Sequence, residues 1–389
     1  MKTATLVLGI GALGMSGGFA SEVNGVTKDE IRLGSHLDLS GPAANFGVAA
    51  ADAFRMKADE INNKGGIHGR KIKVIIEDSQ YQVPRAVQAA NKLINHDGIF
   101  AMIGGLGTAM NNAVLPLQLK ENIPNLFPTG QARAMWEPFH PLKFAATSSY
   151  YDQIRSGLKY VITHSKATSV CALTQNTEFG KEFVEGIIDQ AQADGVKLTK
   201  SLTYKPRDTD FTTQILELKE ANCGVIALGS LARDTILIYT AARQNGIDAP
   251  IVGGSASYDP TISAAPGMSG LYAAVPTIVP DPEKAPPEAK AEMDKFKSRF
   301  GIELNATAIN ALVALDLTAL ALERAGPDLT VERFVKALEG IKNYSTIWDT
   351  PIQNYGPDVH QGSRVSFLCE VKGGKFEKVS GPIGYASEK

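Results

Sequence analysis

The chain has 389 residues, 44% of them apolar and 21% charged, which is ordinary globular material long enough for two hydrophobic cores. Its formal net charge is -2 with both signs interspersed. That excludes a nucleic-acid-binding surface and one drawn to a strongly anionic membrane.

The first residues pose a choice. Gly9-Ile10-Gly11-Ala12-Leu13-Gly14 matches the dinucleotide fingerprint letter for letter, but Gly17-Gly18 would break the helix that fingerprint needs. Lys2, an apolar run and small residues at Gly18-Phe19-Ala20 read instead as a secretory signal peptide over residues 1–20, cleaved after Ala20. No later run of about 20 apolar residues is found to span a bilayer. The mature protein is therefore expected to be exported and soluble.

A strand from Ile31 to Leu37 is broken by Ser40-Gly41-Pro42, small residues that allow a backbone to approach a ligand closely. Ala49 to Ile61 has helical spacing, and Gly65-Gly66 supplies a left-handed stop. The strand Lys71 to Asp78 follows, ending in acid. Further strands are expected at Phe100–Ile103, Asn125–Phe127, Ser169–Leu173, Val225–Leu228 and Pro250–Val252. Helices are expected at 85–94, 179–193, 211–220 and 235–244, and Asp208 and Asp210 are expected to cap the third. This alternation predicts parallel sheets with helices on both faces and ligands at the carboxyl ends of the strands.

The unit Leu39–Gly47, helix, Asn62–Arg70, strand resembles the first β-α-β unit of the type I periplasmic solute-binding proteins, in particular the branched-chain amino-acid-binding family of ABC importers. The resemblance implies an α/β fold of two Rossmann-like lobes joined by a three-strand hinge, with the ligand between them. Residues 21–145 and 277–350 are assigned to lobe 1, and 146–276 and 351–389 to lobe 2. The crossings are expected at Lys143–Thr147, Val275–Pro280 and Trp348–Pro351, with helices over 287–300, 306–325 and 331–338. Many relatives carry a disulfide between the loops after the second and third strands. Here those loops read Asp78-Ser79-Gln80-Tyr81 and Gly105-Leu106-Gly107-Thr108, so no bridge is expected. Cys171, Cys223 and Cys369 lie in apolar strand-like runs and read as buried free thiols.

Candidate ligand residues sit at the strand ends. Gly104-Gly105-Leu106-Gly107-Thr108 opens a helix, so its amides, the Thr108 hydroxyl and the helix dipole suit an anion, or Thr108 is simply a cap. The family implies that Leu106, Gly107 and Thr108 serve a ligand carboxylate. In the next loop Gly130, Gln131 and Ala132 stand where relatives have small residues and a hydroxyl. Arg133 and Trp136 there are ligand contacts or packed surface residues. The resemblance implies that Phe179 is the aromatic residue placed against the ligand in lobe 2 and that Phe46 holds the matching position in lobe 1, the alternative for either ring being core packing; Tyr150 is a further aromatic candidate. Arg233 is either a carboxylate clamp or a partner for the helix start at Asp234. In Gly253–Tyr258 amino-acid binders carry an acid for the α-ammonium; this chain has Ser255, and the nearest acid is Asp259. A buried ammonium without a counter-charge costs several kcal/mol. With Tyr258 also available, the site suits an amine-free aromatic or aliphatic acid better than an α-amino acid.

The six histidines are scattered, and no nucleophile elbow or metal spacing occurs. The chain is therefore read as no enzyme, with no cofactor and no metal. It is expected to be a monomer that docks a small organic solute on Phe46, Thr108 and Gln131, closes Phe179, Arg233 and Tyr258 over it, and hands it to ABC permease subunits. The alternatives are an amino-acid-binding protein proper and a sensor presenting its closed form to a signalling receptor.

Overall fold

The computed structural model describes residues 23–348 and 350–384. The leader assigned to residues 1–20 and its cleavage after Ala20 lie outside the described residues. In chain order the first lobe contains β1 (Glu30–Leu37), α1 (Ala44–Asn63), β2 (Lys71–Asp78), α2 (Val83–Asn95), β3 (Ala101–Ile103), α3 (Thr108–Lys120), β4 (Asn125–Leu126) and β5 (Lys143–Phe144). Their strands form a parallel sheet of order β2-β1-β3-β4-β5.

The second lobe begins with α4 (Tyr150–Ser165), β6 (Ser169–Gln175), α5 (Glu178–Ala193), β7 (Lys197–Tyr204) and α6 (Thr212–Ala221). It continues through β8 (Val225–Gly229), α7 (Ala232–Gln244), β9 (Ile251–Gly253), α8 (Pro260–Ala264) and β10 (Leu271–Val275). The helices α9 (Pro287–Phe300), α10 (Ala306–Ala325) and α11 (Val331–Glu339) return to the first lobe, where α10 packs on α1 and α11. The strands β11 (Phe367–Lys372) and β12 (Lys375–Lys378) then close a sheet of order β12-β11-β10-β9-β8-β6-β7. It is parallel from β7 to β10, and β11 and β12 add antiparallel.

Both parallel sheets reverse strand order beside their first strand, between β1 and β3 and between β6 and β8. Such switch points open a crevice at the strand carboxyl ends, where ligands of these sheets lie. This is the type I periplasmic binding protein architecture.

The first β-α turn shows how local chemistry builds that crevice. The Asp38 carboxylate ends β1 and accepts from the amides of Gly41 and Ala43, while Asp78 at the end of β2 accepts from Leu39 N at 2.9 Å and Ser40 Oγ at 2.6 Å. The turn is so tightly held that α1 starts at Ala44, ahead of the expected Ala49. At the far end Gly66 has φ 72° and donates to Ile61 O at 3.0 Å; a Cβ there would lie 2.1 Å from Arg70 O.

Four sequence expectations are corrected. Cys171 and Cys223 form a disulfide, because β6 and β8 are neighbours and bring the two Cα atoms to 5.7 Å; among the described residues Cys369 is buried and outside any disulfide. The last crossing lies after residues 348–351. Gln353 folds back to pair with Tyr344, Tyr355 packs on Phe127 and Phe144, and Gln361 pairs with Ala145, so the chain leaves the first lobe only near Ser366. Asp208 accepts from Lys205 N and closes that turn, leaving Asp210 to accept from Thr212 N at the start of α6. Finally, α10 is long and apolar enough to cross a membrane, yet it is a core helix, mostly buried and tied to α1 by Lys57 Nζ and Asp316 Oδ1 at 3.2 Å.

Candidate functional site

The lobes meet over a chamber of about 550 Å³ at the two switch points. From lobe 1 come Phe46 after β1, Leu106, Gly107 and Thr108 after β3, and Gln131 after β4. From lobe 2 come Tyr150, Phe179 and Ser255. Eight of the twelve candidates thus share one cavity.

Phe46 and Phe179 reach it by the same device. Each precedes a glycine that lies against the end of the first strand of its lobe: a Cβ on Gly47 would be 1.9 Å from Asp38 O, and one on Gly180 would be 1.7 Å from Gln175 O. Close approach of helix to strand end sets the ring at the cleft. Gly47→Ala or Gly180→Ala should push its helix outward, costing about 1–3 kcal/mol of stability by overpacking and weakening ligand binding. Thermal unfolding of each variant checks this, and unchanged melting would show that the helix has room.

The start of α3 forms one wall of the chamber. Its N-cap is Gly107, with φ 96° and no side-chain cap, so the first amides of the helix point outward without a capping oxygen. Thr108 is 2% exposed, and its Oγ1 has no hydrogen-bond partner among the described residues. Leu106 N is not part of this set, since it donates to His36 O at 3.0 Å and pins the loop to β1. An orphan hydroxyl and a bare helix start converge on one wall of the chamber.

A second polar group bridges the lobes. Gln131 Oε1 accepts from Ser255 Oγ at 2.9 Å and from Gln153 Nε2 at 2.6 Å, and Gln153 Oε1 accepts from Ser255 N at 2.9 Å. Further closure contacts lie outside the chamber. Asn45 Nδ2 donates to Asp259 Oδ2 at 3.2 Å, and Asn112 Nδ2 donates to Glu178 Oε2 at 2.8 Å. Burial pushes the Tyr150 phenol up to about 12, against a smaller opposing effect of the Gln131 backbone, so it stays a neutral group at the chamber wall. None of the residues lining this chamber carries a charge.

Four candidates lie elsewhere. Gly130 and Ala132 line a neighbouring cavity of about 470 Å³, together with Trp136, behind the Gln131 loop. Arg233 turns away from the chamber. It pairs with Asp234 at 2.7 Å and donates to Asp208 O at 3.0 Å, because its own neighbour supplies the carboxylate. Tyr258 packs on Phe376 and accepts from Val279 N at 3.1 Å inside the second lobe's core. Arg133 is engaged across the lobe boundary by Glu182 and Glu185 and lies over the Tyr151 ring.

The sequence reading missed Tyr81, Thr129, Leu231, Thr307 and Asn310, all at the chamber wall. Thr307 and Asn310 had a signal: they are polar, three apart, in the first turns of the mostly apolar α10. Asn310 Oδ1 also accepts from Thr277 Oγ1 at 2.6 Å, linking the returning chain to the site.

The chain as a whole is similar to known proteins. A leucine-, isoleucine-, valine-, threonine- and alanine-binding protein of Pseudomonas aeruginosa is 23% identical over 343 residues, 88% of each chain. Among solved structures, a fatty acid ABC transporter substrate-binding protein from Thermomonospora curvata superposes with a TM-score of 0.85 at 22% identity over 94% of each chain. A solute-binding protein of an ABC transporter from R. palustris, in complex with benzoate, gives 0.81 at 18% identity, covering 92% of this chain and 98% of that one. The family model described as periplasmic binding protein matches residues 30–375, which takes in both lobes and every wall of the chamber. The chain belongs to the periplasmic binding protein family.

Proposed function

We propose that this chain is the extracytoplasmic solute-binding subunit of an ABC importer, and that its cleft takes a small organic acid lacking an α-ammonium group. One observation carries the ligand class: the chamber offers an uncapped helix start and the orphan Thr108 hydroxyl, but no charged side chain. A carboxylate is stabilised at a helix N-terminus. An ammonium enclosed beside it would have no counter-charge, at a cost of several kcal/mol. The acid closest in sequence, Asp259, is occupied by Asn45 and by the cap of α8. The Cys171–Cys223 bridge supports export, since disulfides persist in oxidising compartments. The relatives bind amino acids, a fatty acid and benzoate by their names, so the family alone does not choose among these.

The test is thermal unfolding of ligand-stripped protein against two panels, aromatic and aliphatic monocarboxylic acids on one side and leucine, isoleucine and valine on the other. Saturation at a hundredfold over Kd adds about 2.7 kcal/mol of stability. Only the amine-free acids are expected to shift the transition. Thr108→Val should weaken them about tenfold to a hundredfold, the worth of a hydrogen bond to a charged group. A strong response to leucine with none to the acids would refute the reading.

A further inference from the structure

A second cavity of about 570 Å³ adjoins the ligand chamber, and Tyr81 and Phe179 border both. Its wall is largely apolar, formed by Pro42, Tyr81, Val83, Met110 and Pro206, with Arg207 at its edge. Arg207 is exposed and makes no hydrogen bond or ion pair among the described residues. It is nonetheless held in place through its backbone. Arg233 donates to Pro206 O at 3.4 Å and to Asp208 O at 3.0 Å, one residue on either side. The dividing residue, Tyr81, is also fixed by the chain. Gln80 and Tyr81 both adopt left-handed conformations, φ 51° and 54°, which non-glycine residues hold only when their surroundings impose them. Asp78 Oδ1 accepts from Gln80 N at 3.0 Å and sets that turn. A Cβ on Gly107 would lie 3.2 Å from the Tyr81 ring, so the ring stands directly beside the helix start that faces the first chamber.

A single unpaired guanidinium beside an apolar cavity, next to a carboxylate site that has no charge of its own, selects for a second anionic group on the same ligand. We propose that the cleft is two-chambered and takes an elongated organic diacid. One carboxylate lies at the start of α3 and Thr108, the apolar body passes Tyr81 and Phe179, and the distal carboxylate meets Arg207. This rests on the reading of the first chamber as a carboxylate site. It assigns Arg233 a positioning role, since that residue holds the loop that presents Arg207.

Isothermal titration calorimetry on the ligand-stripped full chain tests this with straight-chain α,ω-dicarboxylic acids of four to ten carbons, their matched monoacids, benzoate and terephthalate. Affinity for diacids should rise with length to an optimum and exceed that of the matched monoacid at least tenfold. Arg207→Gln should remove that advantage and leave monoacids unchanged. Val83→Trp, a replacement at an exposed position, should weaken the longer diacids and spare benzoate. If acids bind without any preference for the second carboxylate, or if Arg207→Gln weakens monoacids and diacids alike, the two-chamber inference is wrong while the carboxylate reading stands. If leucine binds and no acid of any length does, both are wrong.

Discussion

Replacing Cys171 and Cys223 together by alanine should lower the unfolding free energy by about 4 kcal/mol, the loop-closure entropy expected for a bridge across 52 residues. The bond joins the start of β6 to the turn before β8, so it ties together the two strands that flank the second lobe's switch point, at their amino-terminal ends. Urea unfolding of the wild type with and without reductant, beside the double variant, measures the effect. Reduced wild type and the variant should coincide. Cys369→Ala serves as a control, because that thiol is buried outside the bridge and its loss should not respond to reductant. A reductant-insensitive wild type would mean that the two thiols do not pair in the folded protein.

That bridge marks one limit of what the sequence made legible. Strand-helix alternation and the glycine loops were readable because they depend on local periodicity and on backbone freedom at turns. Phe46 and Phe179 were placed through the family resemblance, and the structure supplies the physical reason they match: each precedes a glycine on which helix meets strand end, once in each lobe. The Cys171–Cys223 pairing was hidden because it depends on which strands are neighbours, and β6 pairs with β8 only after an intervening strand and two helices. The same applies to Thr307 and Asn310, which reach the chamber when α10 folds back onto α1. Arg233 and Tyr258 failed in the opposite direction. Their loops were placed correctly at strand ends, but each side chain found a closer partner, Asp234 for the arginine and Phe376 with Val279 N for the tyrosine. Loop position followed from the pattern; side-chain direction followed from competition among partners.

Acid should destabilise this fold through His36. The residue lies next to the last position of β1, fully buried, and neither ring nitrogen has a hydrogen-bond partner among the described residues. Gly105 makes room for it, since a Cβ there would lie 2.8 Å from its Nε2 and 2.4 Å from Asn111 Oδ1. Burial lowers its pKa to about 4, with Asn111 opposing. The unfolded chain, with an ordinary value near 6.5, therefore binds the extra proton between pH 6.5 and 4. The stabilisation is complete above pH 6.5 and is lost as pH falls through that window, by about 3 kcal/mol at the lower end. His36→Gln removes the titration, so its unfolding free energy should change less between pH 7 and pH 4 than that of the wild type. Urea unfolding at several pH values compares the two slopes, and parallel curves would show that other groups carry the acid sensitivity. The consequence extends to the ligand site because His36 O accepts from Leu106 N, the residue that anchors the loop before α3. Loosening β1 at this point should release the Gly107-Thr108 turn. A ligand that keeps its charge at pH 4, such as an aryl sulfonate of benzoate size, should then lose affinity over the same window in the wild type and less in the variant.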